Sequence, residues 1–211
     1  MNLTSILVLV IAVAVTTGGA PTGAQAPQDQ VDLVAQARRL DLAGKQDASI
    51  ALYRQALAGD PDSFDAHYGI ARALDLKGDY AEARRHFAKA IALAPDGVKD
   101  QALRMMGVSY VFTGDTNEAA RYFRRVFARQ IASRNYEGAA EVANELGRVY
   151  LEVGDLEAAS RWYRTGYDTA ARQPNRPAAE IDVAGLRWAH AQARIAARKG
   201  DAREATGKRP P

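Results

Sequence analysis

Histidine is the first residue type to examine for chemistry near neutral pH, and this 211-residue chain has three, His67, His86 and His190. No two of them stand three or four residues apart, the spacing that places two metal ligands on one helix face. The sequence contains no cysteine, nucleophile elbow, phosphate-binding loop or dinucleotide fingerprint. We therefore predict no catalytic residue, no metal site and no cofactor. We expect His67 to pack in the core, His86 to face solvent and His190 to be placed where it could line a groove.

Arginine is the residue type that recurs at a fixed place along the chain. Arg38, Arg72, Arg148 and Arg194 each lie six residues before the glycine of a short loop, and Arg104 lies one helical turn before the valine that takes this place in the third copy. A planar guanidinium binds a carboxylate through two parallel hydrogen bonds. A row of these groups on one surface would favour an acidic peptide or a chain terminus.

The alternative is a solvated helix face in which the arginines are neutralised locally. Asp41 and Asp75 follow Arg38 and Arg72 by three residues, and such pairs contribute about 0.2 to 0.5 kcal/mol each. No acid stands at this place in the later copies. The central and C-terminal part of the surface is therefore predicted to be more basic and more apolar, with Phe112 as its aromatic floor.

The elements that position these side chains form an internal repeat. A loop glycine returns in five copies, four of them followed by aspartate: Gly44-Lys45, Gly78-Asp79, Gly114-Asp115, Gly154-Asp155 and Gly200-Asp201. Small residues lie seven positions before it: Ala37, Ala71, Gly107, Gly147 and Ala193. Aromatic residues lie nine positions after it: Tyr53, Phe87, Phe123 and Tyr163. These rows predict helix pairs in which a ring fills the gap beside a small residue, with the aspartates at the starts of the second helices.

The second copy carries the pattern most completely, with Ile70, Ala71, Leu74, Gly78, Asp79, Tyr80, Ala83, Phe87, Ala90 and Pro95. Gly44 to Gly78 and Pro61 to Pro95 are both spaced by 34 residues. This pattern resembles the tetratricopeptide repeat, a helix-turn-helix unit of about 34 residues. The resemblance implies an all-α, right-handed α-solenoid whose first helices line a concave groove. It also implies a non-catalytic scaffold that binds a peptide or partner protein there.

The amino-terminal segment differs from the repeats. Residues 1–24 carry no charged side chain, and their apolar run from Ile6 to Val15 is shorter than the roughly 20 residues that span a membrane. This composition predicts a secretory signal peptide cleaved near Ala24. The expected location is therefore secreted or periplasmic, in a bacterium, with no stable membrane span after cleavage. An uncleaved anchor and a mistaken start codon are the alternatives.

The remaining boundaries follow from the repeat. We predict a linker over residues 25–30, four repeats over 31–175, a long helix with an incomplete fifth repeat over 176–205, and a disordered tail over 206–211. A solenoid needs a polar cap on its last apolar face. The exposed flank of the helix that contains Trp188 is therefore predicted to associate with another protein surface. It would support a homodimer, or the chain would be a truncated piece of a longer array.

Composition limits the class of partner. The formal net charge is +3, which is slight for 211 residues and does not indicate the concentrated basic face that nucleic acids require. Aromatic residues at helical spacing in the second helices are expected in the core: Tyr122, Phe123, Phe127, Tyr136, Trp162 and Tyr163. The predicted partners are therefore proteins or peptides, acidic ones among them, and not nucleic acid.

Overall fold

The computed structural model describes residues 26–173 and 188–198. These ranges contain helices and short turns, with no strand. The helices are α1 (Ala26–Leu42), α2 (Gln46–Gly59), α3 (Phe64–Lys77), α4 (Tyr80–Leu93), α5 (Asp96–Phe112), α6 (Thr116–Ala132), α7 (Tyr136–Glu152), α8 (Leu156–Ala170) and α9 (188–198). The all-α prediction is confirmed.

The helices stack in the order of the sequence. Each of α1 to α7 packs against the next helix, and α1 also contacts α3 while α3 contacts α5. The first helices of successive pairs are thus neighbours in space as well as partners of their own second helices. This arrangement is the helical repeat array that the loop glycines predicted.

The predicted rows of small and aromatic residues form the core. All four ring positions, at Tyr53, Phe87, Phe123 and Tyr163, are at most 6% exposed. The fit against small residues is close, because a Cβ atom on Gly147 would lie 2.7 Å from the Tyr163 ring. The Tyr163 ring therefore occupies the space that a larger side chain at position 147 would need, as the sequence predicted.

The predicted helix boundaries follow from turn chemistry. Four loop glycines, at positions 44, 78, 114 and 154, have φ between 73° and 86°, the left-handed region that glycine adopts without steric cost. Asp115 and Asp155 accept hydrogen bonds from the backbone N–H three residues later, at 3.1 and 2.9 Å, whereas Asp79 makes no such bond. Pro61 and Pro95 follow the ends of α2 and α4, as predicted.

Some boundaries differ from the sequence prediction. Helix α1 begins at Ala26, inside the segment predicted as a linker. Helix α6 runs to Ala132, three residues longer than α2 or α4, because no proline follows it. The predicted signal peptide over 1–24 and the tail over 206–211 lie outside the described residues. Among the described helices, none combines the length and apolarity that crossing a membrane requires.

Helix α9 lies where the first helix of a fifth repeat is expected. Ala191 is fully buried, Gln192 hydrogen bonds to Ser160 of α8, and Arg198 Nη1 donates to the carbonyl of Gly154 at 2.9 Å. Ala193, the last member of the row of small residues, is exposed. Within the described residues, no second helix covers it.

Candidate functional site

Two of the predicted arginines form ion pairs that connect α1 and α3. Arg38 Nη2 on α1 lies 3.2 Å from Asp65 Oδ1 on α3. In return, Arg72 Nη1 on α3 lies 3.8 Å from Asp41 Oδ2 on α1. The Asp41 side chain is 2% exposed, so this second pair is partly shielded from water. The two pairs cross between neighbouring first helices.

Arg104 and Arg148 are paired as well. Arg104 on α5 pairs with Glu145 on α7, again between neighbouring first helices. Arg148 Nε lies 4.0 Å from Glu152 Oε1 on the same helix, and both side chains are more than half exposed. An exposed pair at this distance contributes little free energy. Among the four predicted arginines that form ion pairs here, Arg148 is therefore the one that an external carboxylate would engage most easily.

The pairing differs from the simplest sequence expectation. Arg38 and Arg72 each form an ion pair with an acidic residue on the adjacent first helix. They do not pair with the aspartates that stand three residues later on their own helices. The side-by-side packing of first helices brings Asp65 and Asp41 within reach, while Asp75 is buried and accepts a hydrogen bond from Ser109. The first-helix surface therefore alternates in charge along α1 and α3.

The charges of Asp41, Arg38 and Arg72 affect the pKa of the buried Tyr53 hydroxyl. Burial raises the pKa of the Tyr53 hydroxyl, and the negative charge of Asp41 raises it further, while Arg38 and Arg72 act in the opposite direction. The Tyr53 hydroxyl therefore stays protonated near neutral pH and can serve as a hydrogen-bond donor.

An exposed apolar row lies beside the arginines. Leu42, Leu76 and Phe112 are 77%, 64% and 57% exposed, and each stands two residues before a loop glycine, at the C-terminal end of α1, α3 or α5. We call these three residues the apolar row. The ring of Phe112 lies 6.0 Å from that of Tyr80, which begins α4. Sequence reasoning selected only Phe112, although the shared position before each loop glycine is readable in the sequence.

The two predicted residues in α9 have different environments. Arg194 is exposed. Trp188 is partly buried, with its ring centroid 6.4 Å from that of Tyr167 and with the Arg164 guanidinium 4.5 Å from its centroid. Part of the indole that was predicted to mediate self-association is thus covered by α8.

Two histidines meet, which the sequence did not indicate. His67 Nδ1 lies 2.9 Å from His86 Nδ1, and His67 Nε2 lies 3.1 Å from the carbonyl oxygen of Pro61. Burial lowers the pKa of His86, and the nearby His67 lowers it further. His86 is half-buried and not fully solvent-facing as predicted, whereas His190 is exposed. In the described ranges, no group of three histidine, cysteine or acidic side chains is arranged to hold a metal ion.

The fold and this surface together define an α-solenoid of paired helices. Two family models, each described as a tetratricopeptide repeat, match residues 34–98 and 99–172. The chain belongs to the tetratricopeptide repeat family. A comparison with curated proteins gave no significant match.

Solved structures show the same fold at low sequence identity. A putative kinesin light chain from Podospora anserina with nearly identical repeats has a TM-score of 0.63 at 17% identity, over 86% of this chain and 93% of that one. Pseudomonas aeruginosa pilF has a TM-score of 0.59 at 18% identity, over 81% and 70%. YrrB, a tetratricopeptide repeat protein with an unusual peptide-binding site, has a TM-score of 0.54 at 20% identity, over 81% and 83%.

Proposed function

We propose that this protein is an exported, non-catalytic scaffold that binds a peptide or partner protein along its first helices. The observation that carries the proposal is the apolar row, in which Leu42, Leu76 and Phe112 are exposed at the same position of three successive repeats. Exposed apolar side chains in register indicate an interaction surface more strongly than scattered ones do. Tetratricopeptide repeats generally mediate protein or peptide interactions, which agrees with this use.

The ligand chemistry follows from the side chains on this surface. One large apolar side chain in each of the first three repeats favours a ligand with apolar groups at regular intervals. The paired arginines give a second, charged component, because an acidic partner can replace Glu152 at the exposed Arg148. We therefore propose that the ligand is an extended or helical peptide segment that is apolar and carries some acidic residues. The description of YrrB, which shares the fold, supports a peptide as the class of ligand.

Export is a separate part of the proposal and rests on the uncharged amino terminus with its apolar run. The expected location is the periplasm or the exterior of a bacterium. Mass spectrometry of the protein recovered from a bacterial expression host would give the amino-terminal residue. A mature chain that begins near Gln25 supports export, and an intact Met1 in the cytoplasm contradicts it.

Binding is tested by capturing partners from a bacterial envelope extract with the mature protein and then measuring the affinity of each purified partner. The double variant Leu76→Ser/Phe112→Ser should weaken binding about tenfold or more, because two apolar anchors are removed. Val153→Ser is the matched control, since Val153 is 56% exposed and does not belong to the apolar row. Arg148→Glu should weaken binding of an acidic partner.

Unchanged affinity in the double variant, with helical content preserved, would refute binding at this surface. Sedimentation at several concentrations separates the alternative of self-association through Trp188. A mass that rises with concentration and falls in Trp188→Glu would favour that alternative.

A further inference from the structure

A second candidate site lies between the second helices α6 and α8. A cavity of about 480 Å³ opens there. It is lined by side chains of α6, α8 and the end of α7: Asn117, Arg124, Tyr150, Asp155, Ala158, Arg161, Trp162 and Thr165. None of these residues belongs to the apolar row or to the predicted arginine row.

Two arginines, Arg124 and Arg161, line the cavity. In the part of the chain that the structure describes, neither Arg124 nor Arg161 forms an ion pair. Their helix neighbours do, because Arg121 pairs with Glu118 and Arg164 pairs with Asp168. Two guanidinium groups that form no ion pair with another described residue, at one concave site, can bind an anion.

Arg124 is held in place by neutral groups. Its Nη2 donates a hydrogen bond of 2.9 Å to Tyr150 Oη, and its Cζ lies 5.9 Å from the centroid of the Trp162 ring. Since the tyrosine oxygen acts as acceptor, the Tyr150 hydroxyl proton remains free to bind a ligand oxygen. The remaining N–H groups of Arg124 supply further donors beside it.

Asp155 limits the charge that the cavity accepts. Its Oδ1 accepts from the backbone N–H of Ala158 at 2.9 Å, so the carboxylate is fixed at the start of α8. Two arginines and one aspartate give the lining a formal charge of +1. A single negative charge neutralises this lining, whereas a dianion would leave the site with a net charge of −1. The flat Trp162 side chain offers an apolar wall for the aliphatic part of such a ligand.

We propose that this cavity binds a peptide carboxylate, presented by an acidic side chain or by a free C-terminus. Arg124, Arg161 and the Tyr150 hydroxyl donate to the carboxylate oxygens, and Trp162 packs against the adjoining carbon atoms. This site goes beyond the first-helix surface and gives the scaffold a second place for an acidic segment.

Trp162 provides the signal for a direct test. The chain has two tryptophans, so a Trp188→Phe variant leaves Trp162 as the only indole emitter. Its fluorescence is titrated with two probes that carry the carboxylate differently. The first is the tripeptide Ala-Glu-Ala with an acetylated amino end and an amidated carboxyl end, and the second is trialanine with an acetylated amino end and a free carboxyl end. The comparison ligands are Ala-Gln-Ala and trialanine, each with an acetylated amino end and an amidated carboxyl end, and inorganic phosphate.

At least one carboxylate probe should bind saturably, and added salt should weaken its affinity. Its uncharged counterpart should not bind. Arg161→Gln and Arg124→Gln should each weaken that binding about tenfold, which is typical for the loss of a charge-assisted hydrogen bond. Arg125→Gln is the matched control, because Arg125 is also on α6 but stacks on Tyr122 at 5.5 Å and does not line the cavity. It should change the affinity less than about twofold.

Any of four results would overturn the proposal. These are the absence of saturable binding by both probes, equal binding of the uncharged peptides, equal loss in Arg125→Gln, and a response to phosphate alone. The Leu76→Ser/Phe112→Ser variant should retain binding here, so failure of this site and failure of the first-helix surface are distinguishable.

Discussion

Ser109 Oγ donates a hydrogen bond of 2.8 Å to Asp75 Oδ1 and thereby ties α5 to α3 inside the protein. Ser109 is fully buried, and Asp75 is 5% exposed. Burial raises the pKa of the Asp75 carboxyl above its ordinary value of 3.8, while the Ser109 hydrogen bond and the charge of Arg84 oppose the rise. The other oxygen, Oδ2, has no hydrogen-bond partner. A buried carboxylate in which only one oxygen has a hydrogen-bond partner therefore lies at the junction of the second and third repeats.

Asp75→Asn should change how stability depends on pH. Because the folded state holds the Asp75 proton more tightly than the unfolded state, the contribution of Asp75 is full below pH 3.8 and is lost as pH rises through the raised pKa. The stability of Asp75→Asn relative to the natural protein should thus increase between about pH 4 and pH 7. Urea denaturation at several pH values measures this difference. Parallel pH curves for the two proteins would contradict it.

Arg84 joins α4 to α5 at the same junction, the least extensive of the contacts between consecutive helices α1 to α8. Its Nη2 donates to the Ser109 carbonyl at 2.7 Å and to Thr113 Oγ1 at 2.6 Å. Its Cζ lies 4.0 Å from the centroid of the Tyr110 ring. The Arg84 guanidinium thus hydrogen bonds to the C-terminal end of α5 and also stacks on the ring of Tyr110.

Arg84→Lys should lower the free energy of unfolding by about 1 to 2 kcal/mol, because a point ammonium cannot keep both the fork of hydrogen bonds and the planar stacking. Arg85→Lys is the matched control, since Arg85 is adjacent on α4 and exposed. It should change stability by less than about 0.5 kcal/mol. Equal losses for the two variants would show that the Arg84 contacts do not matter. Urea denaturation followed by circular dichroism gives both values.

The repeat made the core predictable from the sequence, whereas the site required coordinates. Tyr163 and Gly147 occupy fixed positions in a pattern that recurs, so their contact follows from the register of the helices alone. The partner of Arg38 does not, because Asp65 is 27 residues away and the choice between it and Asp41 depends on the angle between repeats. That angle is set by the packing of whole helices. No local pattern in the sequence determines the angle between repeats.

The same limit explains the missed cavity. Arg124 and Arg161 lie on different second helices, and each helix carries more than one arginine. Which of these remain without an acid depends on side-chain directions that helical spacing does not determine. The search for histidine pairs failed for a related reason, since a spacing of three or four residues detects only ligands on one helix. His67 and His86 lie on the two helices of one pair.

His86 should make the protein less stable as pH falls. The Pro61 carbonyl can only accept, so His67 Nε2 carries a proton, and in the neutral state His67 Nδ1 accepts from His86 Nδ1. The lowered pKa of His86 means that the folded state binds its proton less tightly than the unfolded state does. The stability that neutral His86 contributes is full above pH 6.5 and is lost as pH falls through the lowered pKa.

His86→Asn keeps a side-chain N–H donor and cannot be protonated in this range. Its stability relative to the natural protein should therefore rise as pH falls from about 7 to 5. Urea denaturation measures the difference, and an NMR titration reports the pKa of His86 directly. A His86 pKa above 6.5 would show that the predicted direction is wrong.

Gly69→Ala should destabilise the protein at the contact between α2 and α3. A Cβ atom at position 69 would lie 2.2 Å from Cζ of Tyr53, whose ring is buried. Overpacking of this kind costs about 1 to 3 kcal/mol. Gly97→Ala is the matched control, because no atom lies within 4 Å of a Cβ placed in this first turn of α5. It should be neutral or stabilising by up to about 1 kcal/mol.

A double-mutant cycle identifies the cause. Tyr53→Leu alone should be destabilising, because it leaves a cavity where the ring was. If the ring is the obstacle, Gly69→Ala should cost less in the Tyr53→Leu background than in the natural protein, and the coupling free energy should be about 1 kcal/mol or more. Strict additivity of the two substitutions would mean that the loss at position 69 has another origin than the Tyr53 ring.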